Sequence, residues 1–148
     1  MNTIKPIMET HHEHCDHLFA DAEHAASARD WNACRVQLTR FAEAMEVHFR
    51  AEEDLLFPAF ERDTNAIGGP TEVMRTEHEQ IRELIASLDA AVAAASGDDF
   101  FGASDTLAIL MEQHNRKEEG ILYPMCDDRI SDREGLAERL KQRVGGRA

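Results

Sequence analysis

Residues 48–58 read HFRAEEDLLFP and residues 114–124 read HNRKEEGILYP. The two stretches lie 66 residues apart and share a His, a Glu four positions later, a second Glu, a Leu and a Pro. A spacing of four puts the His and the first Glu on one face of a helix, one turn apart. The same shift carries Met8, Thr10, His12, Glu13 and Leu18 onto Met74, Thr76, His78, Glu79 and Leu84, and Met45 onto Met111. Each half therefore holds a His followed 36 residues later by the His-x-x-x-Glu pair. The chain reads as two copies of one helical hairpin.

Breaks at Asp30, Gly68-Gly69-Pro70 and Ser96-Gly97-Asp98 divide the periodic sequence into four helices, about residues 4–28, 31–62, 71–95 and 103–128. Steps of three and four residues mark their interior stripes. The first runs through Met8, His12, Cys15, Phe19, Ala22 and Ala26, and the second through Leu38, Phe41, Met45, His48, Glu52, Leu55 and Ala59. Met74, His78, Ile81, Ile85, Leu88 and Val92 form the third, and Leu107, Met111, His114, Glu118, Ile121 and Met125 the fourth. The pattern predicts an all-α fold, an up-down-up-down antiparallel four-helix bundle over residues 1–128. Residues 129–148 form a short C-terminal helix or tail, capped by Ser131 or Asp132, running through Leu136 and Leu140 and ending at Gly145-Gly146.

The chain has 148 residues, with 16 Lys and Arg against 29 Asp and Glu, for a net charge of −13. One domain of this size buries enough surface to fold without a disulfide or a structural metal. The acidic balance argues against nucleic-acid and membrane-surface partners. Nothing at the N-terminus reads as a secretory signal, and no apolar run is long enough to span a bilayer. Cys15, Cys34 and Cys126 form no metal-binding pair, and an odd number cannot all pair within one chain, so a reducing cytoplasm is expected.

Every interior stripe carries polar groups. His12, His48, Glu52, His78, His114 and Glu118 would lie at one level of a small bundle, where each unsatisfied polar group costs about 1–3 kcal/mol. Metal coordination satisfies all six at once. Four imidazoles and two carboxylates exceed what one tetrahedral zinc uses, so two ions of the iron or manganese type fit better. Pseudo-twofold symmetry assigns His12 and His48 to one ion, His78 and His114 to the other, and Glu52 and Glu118 to both. A ferritin-like site needs a second Glu-x-x-His, but the repeat places Arg75 opposite Glu9.

His11, His14, His17 and His24 read as surface residues, with His11 the one substitute for His12. Cys15 reads as a small core hydrophobe. Phe57 and Tyr123 read as packing beside the site, and Trp31 and Phe49 as core or hairpin contacts. Pro58 and Pro124 are expected to kink or end their helices.

Taken together, His12, the two His-x-x-x-Glu stretches and Glu77-His78-Glu79 resemble the hemerythrin-like, or HHE cation-binding, family over about residues 4–128. The resemblance implies a non-haem diiron site of two iron ions, with an oxo or hydroxo bridge. It also implies binding or sensing of a small ligand such as dioxygen or nitric oxide, or iron handling. The alternative is a diiron enzyme that acts on peroxide or repairs iron centres. Oxygen-carrying hemerythrins place a second His on the third helix, one turn from the first, where this chain has Met74 and Arg82. They also use a carboxylate five residues after the last His, the place of Glu119, whereas the repeat favours Glu118. This departure from the carrier pattern leads to the expectation of a centre that reacts and oxidises without cycling as a durable oxygen carrier.

Overall fold

The computed structural model describes residues 3–66 and 68–145. Its elements are α1 (Ile4–Ser27), α2 (Trp31–Ala51), a π-turn (Glu52–Leu56), α3 (Phe57–Thr64), α4 (Pro70–Ala93), α5 (Gly97–Lys117), a second π-turn (Glu118–Leu122), α6 (Tyr123–Arg129) and α7 (Arg133–Gly145). The described residues contain no strand. Among them, no helix is long and apolar enough to cross a membrane.

The two hairpin turns repeat each other atom for atom. Asp30 N–H bonds to Ala25 O and Arg29 N–H to Ala26 O; 66 residues later, Ser96 N–H bonds to Ala91 O and Ala95 N–H to Val92 O. This pattern ends a helix by turning one residue left-handed. Arg29 and Ala95 are those residues, at φ 58° and 50°. Asp30 and Ser96 then cap the following helix, accepting from Ala33 N–H at 3.1 Å and Asp99 N–H at 3.2 Å. The Ser96 cap, with Asp98 and Asp99 favourably placed in the first turn, starts α5 at Gly97, earlier than the expected residue 103.

Side-chain contacts tie neighbouring helices of the bundle together. His11 meets His48 and Ala22 meets Cys34, joining α1 to α2. Arg82 meets Glu46 and His78 meets Glu53, joining α4 to the α2 rod. Glu77 meets His114 on α5, and α1 closes the ring, with His12 on Glu118 and Ile4 on Asp127. The result is a helical bundle whose apolar interior forms two clusters. Cys15, Phe19, Leu38, Phe41, Leu88, Phe100 and Leu107 belong to the cluster toward the hairpin turns. Ile4, Leu56, Phe57, Phe60, Leu122, Tyr123 and Cys126 belong to the other, which Leu136, Ala137 and Leu140 of α7 also enter. Asp132 caps α7 through Gly135 N–H at 3.2 Å. The expected stop at Gly145-Gly146 lies partly outside the described residues.

Neither Pro58 nor Pro124 ends its helix. A proline lacks an N–H and crowds the carbonyl four residues back. Each π-turn relieves this by widening the preceding turn, as Phe57 N–H bonds to Glu52 O and Tyr123 N–H to Glu118 O, five residues apart. The extra residue advances the interior stripe by one position. Leu56, Leu122 and Cys126 are buried, whereas Leu55 and Met125 are half-buried and Ile121 is 58% exposed. The expected interior places of Leu55, Ile121 and Met125 are thereby corrected.

Candidate metal centre

The layer between the two apolar clusters is built from all four main rods. α1 supplies His12, α2 His48, the first π-turn Glu52, α4 His78, α5 His114 and the second π-turn Glu118. All six side chains are buried. Glu52, His78, His114 and Glu118 bring one donor atom each within 4.8 Å of one another, as do His12, His48 and Glu118. His78 Nε2 lies 2.9 Å from Glu52 Oε1, His114 Nε2 3.3 Å from Glu118 Oε2, His12 Nε2 3.0 Å from Glu118 Oε1 and His48 Nε2 3.5 Å from Glu52 Oε2.

These donors fit a cation better than they fit each other. Glu52 Oε1, His78 Nε2, His114 Nε2 and Glu118 Oε2 are buried with no hydrogen-bond partner, although two of them approach to 2.9 Å. They are close without being aligned for a hydrogen bond. Left so, each forfeits about 1–3 kcal/mol, which a shared ion restores.

The outward nitrogens of these histidines are held in turn. His12 Nδ1 is 2.6 Å from Glu119 Oε2, His78 Nδ1 2.6 Å from Glu53 Oε2 and His114 Nδ1 2.8 Å from Glu77 Oε1. His48 Nδ1 is 2.8 Å from His11 Nδ1. Such partners fix the ring and leave Nε2 free to serve a metal. The repeat extends to this outer layer, pairing Glu53 with Glu119 and His11 with Glu77. Arg82 backs Glu53 at 3.1 Å, and Lys117 backs Glu77.

Burial opposes charging of His12, but hydrogen bonds to Glu118 and Glu119 prevail and hold it up at about 10. His78 is likewise held at about 9, against burial, by Glu52 and Glu53. Burial keeps His11 down at about 3, reinforced by the neighbouring His48. Glu53 is drawn down to about 2, against burial, by His78 and Arg82.

A family model described as the hemerythrin HHE cation binding domain matches residues 3–126. The chain belongs to the hemerythrin HHE family. No curated protein and no solved structure matches it. Cation binding is what the family description names, and this HHE chain's buried His and Glu groups could hold a metal.

All six residues singled out from the sequence converge on the HHE layer. His14, His17 and His24 are exposed, as expected, but His11 is 6% exposed and stacks on His48 with ring centroids 5.1 Å apart. Its surface reading is corrected: as the repeat partner of Glu77, it fills the outer layer. Phe49 stacks on His78 at 3.9 Å and Trp31 meets Phe100 edge-on at 6.2 Å, as packing residues do. Cys15 is buried, and burial pushes its thiol up to about 12, as suits a core residue. The reading of Tyr123 as packing alone is incomplete, because its hydroxyl lies 2.6 Å from Glu52 Oε2. Glu53 and Glu77 in the outer layer were visible as repeat partners without a role, whereas Glu119, weighed as a carrier-type carboxylate, lies on the outward nitrogen of His12.

Proposed function

We propose that this hemerythrin HHE protein is a non-haem diiron protein that binds or senses a small ligand such as dioxygen or nitric oxide. In this reading the chain divides after residue 128, with an up-down-up-down four-helix bundle before the division and, after it, the helix Arg133–Gly145 packing on that bundle. His12 and His48 would hold one iron, His78 and His114 the other, and Glu52 and Glu118 would serve both. The observation that carries the reading is the set of four buried, unpartnered donor atoms on Glu52, His78, His114 and Glu118. Bound iron supplies redox chemistry and coordination positions open to a small ligand. The chain's own groups orient the donors through Glu53, Glu77, Glu119 and His11, and its two apolar clusters keep bulk water from the layer.

Access favours small ligands over bulky substrates. Glu119 lines an open cleft of about 490 Å³ with Asp16, Phe19 and Met111, and none of the six donors reaches it. Three buried free thiols agree with a reducing, cytoplasmic setting. The test is metal analysis of the purified protein, followed by anaerobic reduction and mixing with dioxygen, nitric oxide or peroxide under optical observation. Iron with a ligand-dependent spectrum is expected. Multiple turnovers of peroxide in proportion to iron would replace binding by catalysis, and spectrally silent zinc would leave a structural site.

A further inference from the structure

One of the differences between the two halves sets a polar atom against the donors themselves. The repeat sets Tyr123 opposite Phe57. Phe57 lies over His78 with centroids 5.7 Å apart and planes at 22°, and Tyr123 lies over His12 at 5.7 Å and 28°. The rings occupy equivalent positions, and the hydroxyl is what one side has and the other lacks.

That hydroxyl is fully buried and ringed by donors. It lies 2.6 Å from Glu52 Oε2, 2.9 Å from Glu118 Oε1, and 3.3 Å from both His12 Nε2 and His48 Nε2. A phenol has one proton, so it donates to one of these four atoms at a time. Both carboxylates approach it within hydrogen-bond distance, and only one can be served. The spacing suits a shared ion instead. Donors adjacent on an octahedral ion lie about 3 Å apart and opposite donors about 4.2 Å, given metal–ligand distances of about 2.1 Å. Within the same group, His12 Nε2 to Glu118 Oε1 is 3.0 Å, His48 Nε2 to Glu52 Oε2 3.5 Å and His48 Nε2 to Glu118 Oε1 4.0 Å.

We propose that Tyr123 is a direct phenolate ligand of the ion held by His12 and His48. This rests on the two-iron reading above and makes the two positions unequal. One ion has five protein donors, His12, His48, Glu52, Glu118 and Tyr123. The other has four, because Phe57 contributes none, and an external ligand binds there. Ligation exchanges the phenol O–H bond for an O–metal bond, the proton leaves to solvent, and no electron moves.

The chain contains one tyrosine, so any phenolate signal belongs to Tyr123. The experiment is iron analysis of the ferric-loaded wild type and Tyr123→Phe, with visible absorption and resonance Raman spectra of each. A phenolate-to-iron charge-transfer band with enhanced phenolate ring modes is expected in the wild type. Loss of both is expected in Tyr123→Phe at a near-unchanged helical circular dichroism signal. Iron-loaded wild type without phenolate modes overturns the tyrosine assignment alone, whereas wild type that takes up no iron overturns the two-iron reading with it. Should Tyr123→Phe fail to fold, the wild-type Raman spectrum still decides.

Discussion

Each histidine of the donor layer has two nitrogens to satisfy, and the outward one decides how the inward one is presented. Loss of a donor and loss of its support therefore have different sizes. His12→Ala is expected to remove about one of two iron equivalents, and His11→Ala to weaken iron retention about 10–100-fold, as outer partners typically do. Metal analysis with a chelator competition separates the two, and equal effects would place both residues on the ion. A pH dependence follows from the same groups. In the metal-free protein His12 at about 10 and His78 at about 9 lie above their ordinary 6.5. The stability they contribute is fully present below pH 6.5 and is lost as pH rises through 9 and 10. Denaturant unfolding of chelated protein at pH 6 and pH 10.5 is expected to show the decline. That the six side chains of the donor layer come together was legible because metal chemistry favours His and Glu and the repeat shows the pattern twice. The role of His11 was not, because burial of a neighbour one position off the stripe depends on what α2 places opposite it.

Helix ends and helix defects position the donors. Asp127, buried on α6, accepts from Ile4 N–H at 2.8 Å, Thr3 N–H at 2.9 Å and Lys5 N–H at 3.1 Å, and so caps the start of α1 from across the bundle. Asp127→Ala is expected to cost about 1–3 kcal/mol in unfolding experiments. Conversely, Ala95→Gly relieves a left-handed residue and is expected to gain about 0.5 kcal/mol after the added unfolded-state entropy. Four of the helices could be read from periodicity, since their stripes are unbroken there. Past Glu52 and Glu118 the stripe was misread by one residue, because a π-turn leaves no mark in composition beyond the proline that follows it. Deletion of exposed Gly120 is expected to restore a plain α-helical turn and, because the π-turn already absorbs one extra residue, to leave Leu122, Tyr123 and Cys126 facing inward. Helical circular dichroism and iron binding are both expected to persist in that variant.

On the scale of the whole molecule, the two-iron reading with six buried donors would make folding and metal binding one equilibrium. Chelation is expected to lower the melting temperature, and reloading to two iron equivalents to restore it. An apo form as stable as the loaded form would sink the dinuclear reading. The general acidity, with a net charge of −13, was plain from composition but says nothing of where cations sit. The donor layer separates two apolar clusters, each with its own aromatic centre in Phe41 or Phe60. In the terms of amide hydrogen exchange, the bundle is then two cooperative units with a seam of charge between them. Metal-free, each end is expected to open with its own free energy, giving two populations of protected amides. Two cations would rivet the seam, and the slowest amides at both ends would come to exchange together.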